Sequence, residues 1–204
     1  LQAATSAVDR IYIDGFAGPG LNQLRDTGTI IDGSPMIALN AHSPTDSNIR
    51  FTQLFVIEQD AETAAELEQQ IAKRGGDDRA TVFVGDVDTR LPEIVQDLSR
   101  RAPAFVFLDT VGMDPAWRTI EEIAAWQVEL LINFPEGTAI NRNPNSEKAR
   151  TYFPDDTWRE MWQRGDGRGV RDSYKRGLGT LGLDQQHLSD RLIRSLGDAG
   201  QKYY

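Results

Sequence analysis

The chain has 204 residues, 39% of them hydrophobic, with a formal net charge of -9, two histidines and no cysteine. That length supports one well-buried core read as a single domain, and the composition excludes disulfides and thiolate metal sites and argues against a histidine metal site, so no metal is expected and His42 and His187 read as surface residues. No stretch approaches the roughly 18 apolar residues of a membrane span, and Leu1 to Arg10 lacks the basic start and apolar run of a signal peptide, so a cytoplasmic protein with no membrane partner is expected.

The first element is an apolar strand, Ile11-Tyr12-Ile13-Asp14, opening onto Gly15-Phe16-Ala17-Gly18-Pro19-Gly20. Glycines at 18 and 20 let the chain turn sharply and a ligand approach the main chain, while Asp14 brings a carboxylate to the strand's carboxyl end. An insertion, Leu21 to Gly33, delays the first helix, for which Ser34-Pro35 supplies an N-cap and a first-turn proline ahead of Met36 to Ala41. Strands follow at Phe51 to Ile57, Ala80 to Val84, Ala104 to Leu108 and Val128 to Phe134. Between them, Ala64, Leu67 and Ile71, then Leu91, Ile94, Val95 and Leu98, then Trp117, Ile120, Ile123 and Ala124 recur at helical spacing, the last helix capped by Asp114-Pro115.

This βαβαβ series predicts an α/β fold, a doubly wound and mostly parallel sheet over 11–134, followed from Pro135 by a helical extension over 135–204. Leu188, Leu192, Ile193 and Leu196 continue that helical pattern. The chain opens at Leu1 without a methionine, so both natural ends are expected to lie beyond it. Lys202 to Tyr204 are expected to begin a missing strand, leaving the sheet incomplete at the C-terminus.

Ligands of open α/β sheets bind outside the carboxyl ends of the strands. Four consecutive strand ends here carry Asp14, Glu58, Asp86 and Asp109. The turn Asp14-x-Phe16-x-Gly18-x-Gly20 fits neither the dinucleotide spacing G-x-G-x-x-G nor the phosphate loop G-x-x-x-x-G-K-[ST]. It resembles the first motif of S-adenosylmethionine (SAM) methyltransferases. That resemblance implies a Rossmann-like SAM methyltransferase fold, in which the turn with Asp14, Phe16, Gly18 and Gly20 passes beneath the methionine end of the cofactor. Glu58 would then accept the ribose hydroxyls, Asp86 would reach the adenine amino group, and Asp109 would stand above the reacting methyl as the catalytic residue orienting the acceptor. A nicotinamide oxidoreductase is disfavoured by the glycine spacing and the absence of a Tyr-x-x-x-Lys pair.

A closer resemblance rests on the order of several strings: Tyr12 to Gly20, the delayed Gly33-Ser34-Pro35-Met36-Ile37-Ala38-Leu39, Phe107-Leu108-Asp109 with Gly112 and Trp117-Arg118-Thr119-Ile120, and Leu131-Ile132-Asn133-Phe134-Pro135 with Asn141-Arg142. Together these resemble the three-Cys-motif partner (TcmP) family over Ile11 to Arg142, and more loosely through Trp158-Arg159-Glu160. The resemblance implies a SAM methyltransferase-like protein that works with a separate three-Cys-motif protein. Members usually carry Asp-Pro-x-Gly after the fourth strand, similar to the motif with which amino-group methyltransferases hold the target amine. This chain has Asp109-Thr110-Val111-Gly112, without the rigid proline or a stacking ring. The alternative is a catalytically silent partner module that keeps the fold and the cofactor.

Arg142 to Arg176 is the other candidate surface, with nine Lys or Arg against six Asp or Glu, whereas the rest of the chain has thirteen against twenty-five. Tyr152, Phe153, Trp158, Trp162 and Tyr174 are interleaved. Cations beside aromatic planes suit single-stranded nucleic acid as a candidate substrate. The competing reading packs Trp158 and Trp162 onto the body and leaves the arginines solvated.

Overall fold

The computed structural model describes residues 9–75, 78–100, 102–110, 112–135 and 139–183, with the backbone of 193–194 and 202–203. The chain divides into two compact units, residues 1–109 with 126–131, and residues 110–125 with 132–204.

The first unit is built on a five-stranded parallel sheet flanked by helices, a Rossmann-like arrangement. Its strands are β1 (Ile11–Asp14), β4 (Gln53–Glu58), β5 (Ala80–Val84), β6 (Ala104–Leu108) and β7 (Val128–Ile132), in the order β5-β4-β1-β6-β7. In register, Ile13 lies beside Phe55 of β4 and Val106 of β6. The succession runs outward from β1 to one side and then returns to its other side at β6, which makes the β1–β6 boundary the topological switch point. All four residues of β1 are buried, as a strand covered on both faces requires.

Helices α1 (Ser34–Asn40), α2 (Ala61–Lys73) and α3 (Val87–Asp97) cover this sheet. In α2 the buried stripe is Ala64, Leu67 and Ile71, the residues that the sequence placed on one face, and Asp60 caps the helix by accepting the Thr63 amide at 2.8 Å. Tyr12, Met36, Leu39, Leu54, Val56 and Leu67 form one core cluster. The insertion after the glycine turn is an antiparallel hairpin, β2 (Leu21–Gln23) with β3 (Ile30–Asp32), which the sequence marked only as an interruption. Arg74 at the end of α2 holds both carboxylate oxygens of Asp32 and draws that carboxyl below its ordinary range.

The second unit carries α4 (Trp117–Ile123), α5 (Glu147–Tyr152), α6 (Trp158–Gln163) and α7 (Gly167–Thr180). Its interior is aromatic. Phe153 stacks on Trp158 with centroids 4.3 Å apart, Tyr152 stacks on Tyr174 at 5.0 Å, and Trp117 meets Tyr174 edge-on at 5.3 Å. At Gly177 a Cβ would stand 2.8 Å from the Trp117 ring and 2.7 Å from Pro154, so only glycine lets α7 come this close. Burial pushes the Tyr152 and Tyr174 hydroxyls far above the ordinary phenol range.

Two cap assignments are corrected. Ser34 is the first helical residue of α1 and Gly33 is its N-cap, because the helical bonding already begins at Gly33, whose carbonyl accepts the Ile37 amide at 3.0 Å. Asp114 does not cap α4, whose N-cap is Ala116, since both its oxygens accept Lys148 Nζ, at 2.8 and 2.6 Å. The helical reading of Ile193 is corrected as well: Ile193–Arg194 (β8) pairs antiparallel with Lys202–Tyr203 (β9). His187, Leu188, Leu192 and Leu196 lie outside the described residues. His42 is exposed, as expected.

Candidate functional site

The glycine turn leaves the end of β1 beside the switch point and is fixed from three directions. The Gly15 amide donates to Phe107 O of β6, and the Ala17 amide donates to Ile57 O of β4, each at 2.9 Å. The Gly18 amide donates to Glu58 Oε2, also at 2.9 Å. Gly18 and Gly20 adopt left-handed φ angles of +62° and +82°, which favour glycine. Their surroundings differ: a Cβ at Gly20 would stand 2.8 Å from Leu67 Cδ1, whereas one at Gly18 would meet nothing within 4 Å. Open space in front of Gly18 is what close approach of a ligand to the main chain needs. Phe16, between them and Asp14, is half-buried.

Glu58 ends β4 and faces this turn. Its Oε1 accepts the Asp60 amide at 2.9 Å while Oε2 accepts Gly18. A carboxylate offers about four lone-pair sites, so two backbone donors fix its orientation and leave capacity for two hydroxyl donors.

Asp14 behaves differently. It is fully buried, its Oδ2 accepts the Tyr12 hydroxyl at 3.0 Å, and its Oδ1 accepts the Phe16 amide at 3.1 Å. Burial raises its pKa above the ordinary carboxylate range, opposed by the nearby Ser34 hydroxyl, the Phe16 amide and the Tyr12 hydroxyl, and the Asp109 charge raises it further. Burial likewise pushes the Tyr12 hydroxyl far up, with the Asp14 charge adding to it. Asp14 thus braces the turn from inside.

Asp86 follows β5 and is exposed. It caps α3 by accepting the Asp88 amide at 2.8 Å. Asp109 follows β6, is exposed, and lies near enough for its charge to act on Asp14 and Tyr12. The turn therefore brings together Gly18, Glu58, Asp14 and, through its charge, Asp109, while Asp86 is engaged with its own helix. Beyond β6, Thr110 is buried and its hydroxyl bonds both the amide and the carbonyl of Gly112, at 3.0 and 3.2 Å. This local turn stiffens the segment after β6. Val111 lies outside the described residues.

The basic segment packs differently from a base-stacking platform. Tyr152, Phe153, Trp158 and Tyr174 are buried, so their faces are taken by one another. Trp162 alone of the five rings is half-exposed, its Nε1 donating to Asn141 Oδ1 at 3.2 Å. Arg150, Arg159, Arg164 and Arg168 pair with Glu147, Asp156, Glu160 and Asp172 of the same segment.

Among the described residues no group of three His, Cys, Asp or Glu side chains could hold a metal, and no helix is long and apolar enough to cross a membrane. Two surface clefts, of about 360 and 470 Å³, are lined by Arg150 and Phe153 to Asp156 with Arg159, and by Glu68, Ile71 and Ala72 with Asp78 and Ala80 to Val82; neither contains a residue of the glycine turn. The sequence missed Tyr12 as a site residue. Tyr12 had a signal, since residues i and i+2 of a strand share a face.

No family model and no curated protein matches the chain. Among solved structures it is similar to a conserved hypothetical protein from Streptococcus pyogenes, with 19% identity over 61% of this chain and 63% of that one and a TM-score of 0.35. It is also similar to a Legionella pneumophila str. Philadelphia 1 protein of the family DUF519, with 12% identity over 84% and 69% of the two chains and a TM-score of 0.48. The chain thus spans less than two thirds of the streptococcal protein's length. At these identities and scores neither likeness adds to the reading of function.

Proposed function

We propose that the first unit binds SAM at the glycine turn and that the chain is a SAM-dependent methyltransferase-like protein of the three-Cys-motif partner type. It acts in the cytoplasm with a separate three-Cys-motif protein, and on nucleic acid. The observation that carries the cofactor reading is the Gly18 amide held on Glu58 Oε2 at 2.9 Å, with open space in front of Gly18. It joins the β1 turn to a β4 carboxylate that still has acceptor sites, which fits a nucleoside with two ribose hydroxyls. Bound there, SAM would supply the methyl group. The turn with Asp14, Phe16, Gly18 and Gly20 would pass beneath the methionine end, Glu58 would take the ribose and Asp86 the adenine, and Asp109 would orient the acceptor.

The nucleic-acid reading rests on exposed arginines. Surface ion pairs contribute roughly 0–1 kcal/mol, so Arg150, Arg164 and Arg168 can exchange their carboxylate partners for phosphates at little cost, and Trp162 offers the one partly open ring. A second reading, a silent module that keeps the cofactor, is favoured by Thr110: its hydroxyl is spent on Gly112, and no proline holds an acceptor amine.

Transfer of labelled methyl from SAM to a nucleic-acid or protein fraction, in the presence of the natural partner, separates the two. The enzyme reading predicts transfer that Asp109→Ala abolishes with cofactor affinity nearly intact. The silent-module reading predicts no transfer from either form. Robust transfer by Asp109→Ala would contradict both.

A further inference from the structure

Six large apolar side chains are exposed among the described residues, and four of them, Leu24, Ile30, Ile31 and Ile37, fall between positions 24 and 37. The first three belong to the β2–β3 hairpin, where every residue from 22 to 31 is exposed. Neither face of the ribbon is therefore buried over that stretch, and a two-stranded hairpin by itself is marginal in water. Only its base is held, by the Gly33 amide on Gly20 O at 2.8 Å and by Arg74 on the Asp32 carboxylate.

The ladder register shows which backbone groups face outward. Leu21, Asn22 and Gln23 lie opposite Asp32, Ile31 and Ile30. The Gly33 bond to Gly20 O, and that of the Leu24 amide to Thr29 O at 2.9 Å, fall on alternate pairs of this ladder. Asn22 and Ile31 are then the hydrogen-bonded pair between them, and the N–H and C=O of Ile30 and Asp32 point away from β2. Among the described residues no third strand pairs with this edge.

Side-chain direction decides what kind of partner fits. Successive strand residues point to opposite faces, so Ile30 lies on one face of the ribbon and Ile31 on the other. A surface docked on one face would cover one isoleucine only. An added strand serves both, because it brings neighbours to each face while its backbone takes the outward groups of Ile30 and Asp32. The edge also suits its own copy. Residues 27–31 carry no charge and Asp32 is already held by Arg74, so two chains of net charge -9 can pair here without setting like charges opposite each other. The lysines, prolines and bulges that blunt the edges of monomeric proteins are absent from Ile30–Asp32.

We propose that β3 is a dimerisation edge: two copies of this chain pair antiparallel about a twofold axis at Ile31, joining their hairpins into one sheet of order β2-β3-β3-β2. Ile30 of one copy exchanges backbone bonds with Asp32 of the other, and the two Ile31 side chains meet in the close, non-hydrogen-bonded pair. So short an interface gives weak, concentration-dependent association. The pairing is independent of any ligand at the glycine turn.

Sedimentation equilibrium of the full chain from about 1 μM to about 1 mM, with amide hydrogen exchange at both ends of that range, tests the pairing. The unmodified chain should pass from monomer to dimer, and the Ile30 and Asp32 amides should gain protection as it does. Ile30→Pro removes an N–H that the hairpin does not use, hence one ladder bond from each copy, and should weaken the dimer about tenfold or more. Ile31→Lys sets two cations opposite each other at the axis and should abolish it. Ile37→Lys makes the same charge change at an exposed position of α1, off the edge, and should leave association unchanged. If Ile30→Pro does not fold, the contrast of Ile31→Lys with Ile37→Lys decides alone. A monomer throughout the range would overturn the proposal. So would a dimer whose Ile30 and Asp32 amides stay unprotected, one that survives Ile31→Lys, or one that Ile37→Lys weakens equally, since each places the contact elsewhere.

Discussion

Replacing the two turn glycines one at a time separates backbone strain from packing. Gly18→Ala and Gly20→Ala both place a Cβ on left-handed backbone, at about 1–2 kcal/mol each. At Gly18 the cost stops there, because nothing lies within 4 Å of the new methyl. At Gly20 the methyl would stand 2.8 Å from Leu67 Cδ1 and 3.3 Å from Met36 Sδ, and both residues are fully buried. Overpacking of that kind adds about 1–3 kcal/mol. With about 2–4 °C per kcal/mol for a protein of this size, Gly18→Ala should lower Tm by roughly 5 °C and Gly20→Ala by roughly 10 °C. Calorimetric melting of the two variants checks this. Equal destabilisation, or a larger loss for Gly18→Ala, would refute the assignment of tight packing to Gly20 and open space to Gly18. The ligand readout should invert the order: the Gly18 methyl occupies the ligand's approach, so Gly18→Ala should lose more S-adenosylhomocysteine affinity than its small stability cost explains.

Glu58→Ala removes charge-assisted bonds worth about 1.5–3 kcal/mol, hence roughly 10- to 150-fold in S-adenosylhomocysteine affinity; an unchanged affinity would make Glu58 a loop anchor only. Asp14 has a pKa raised above 3.8 by burial, so its folded form holds a proton that the unfolded form has lost, and stability should fall as pH rises from about 4 through the folded pKa. Urea denaturation at several pH values should show that slope in the unmodified chain and a flatter one in Asp14→Asn. Asp32, Asp60 and Asp155 are lowered by their hydrogen bonds to Arg74, Thr63 and Thr157 and act in the opposite sense, losing stability as pH falls below about 4. Trp158→Ala, at a fully buried ring stacked on Phe153, should cost about 3–5 kcal/mol in the same denaturation assay. Arg164→Glu with Arg168→Glu should weaken single-stranded nucleic acid and reduce the salt dependence of binding; identical salt slopes would remove this segment as the interface.

The parts of the fold that were legible are those decided by local pattern. β5 and β6 fall at Ala80–Val84 and Ala104–Leu108 as expected, since short apolar runs between helical periods have few alternatives. β4 starts at Gln53, two residues later than the pattern suggested, because the Thr52 amide is taken by Arg10 O outside the ladder. The hairpin was opaque: three residues a side are too few to show alternation, although Asp26-Thr27-Gly28 is a turn signal. Asp114 was misread because capping rules weigh neighbours in sequence, and its carboxylate chose a partner far along the chain, Lys148. At the site, the carboxylates at strand ends were visible, but not that the Tyr12 hydroxyl and the Phe16 amide occupy Asp14. In the aromatic segment the i, i+4 spacing of Trp158 and Trp162 was readable, yet burial of one ring and half-exposure of the other depend on tertiary packing.

The central claim is that the glycine turn with Glu58 receives an S-adenosyl nucleoside. Titration calorimetry of the unmodified chain with S-adenosylhomocysteine and, separately, with NAD tests it most directly. The account predicts saturable binding of S-adenosylhomocysteine, weakened roughly 10- to 150-fold by Glu58→Ala, with NAD binding weaker or absent. Tighter binding of NAD, or no binding of the S-adenosyl nucleoside, would contradict it.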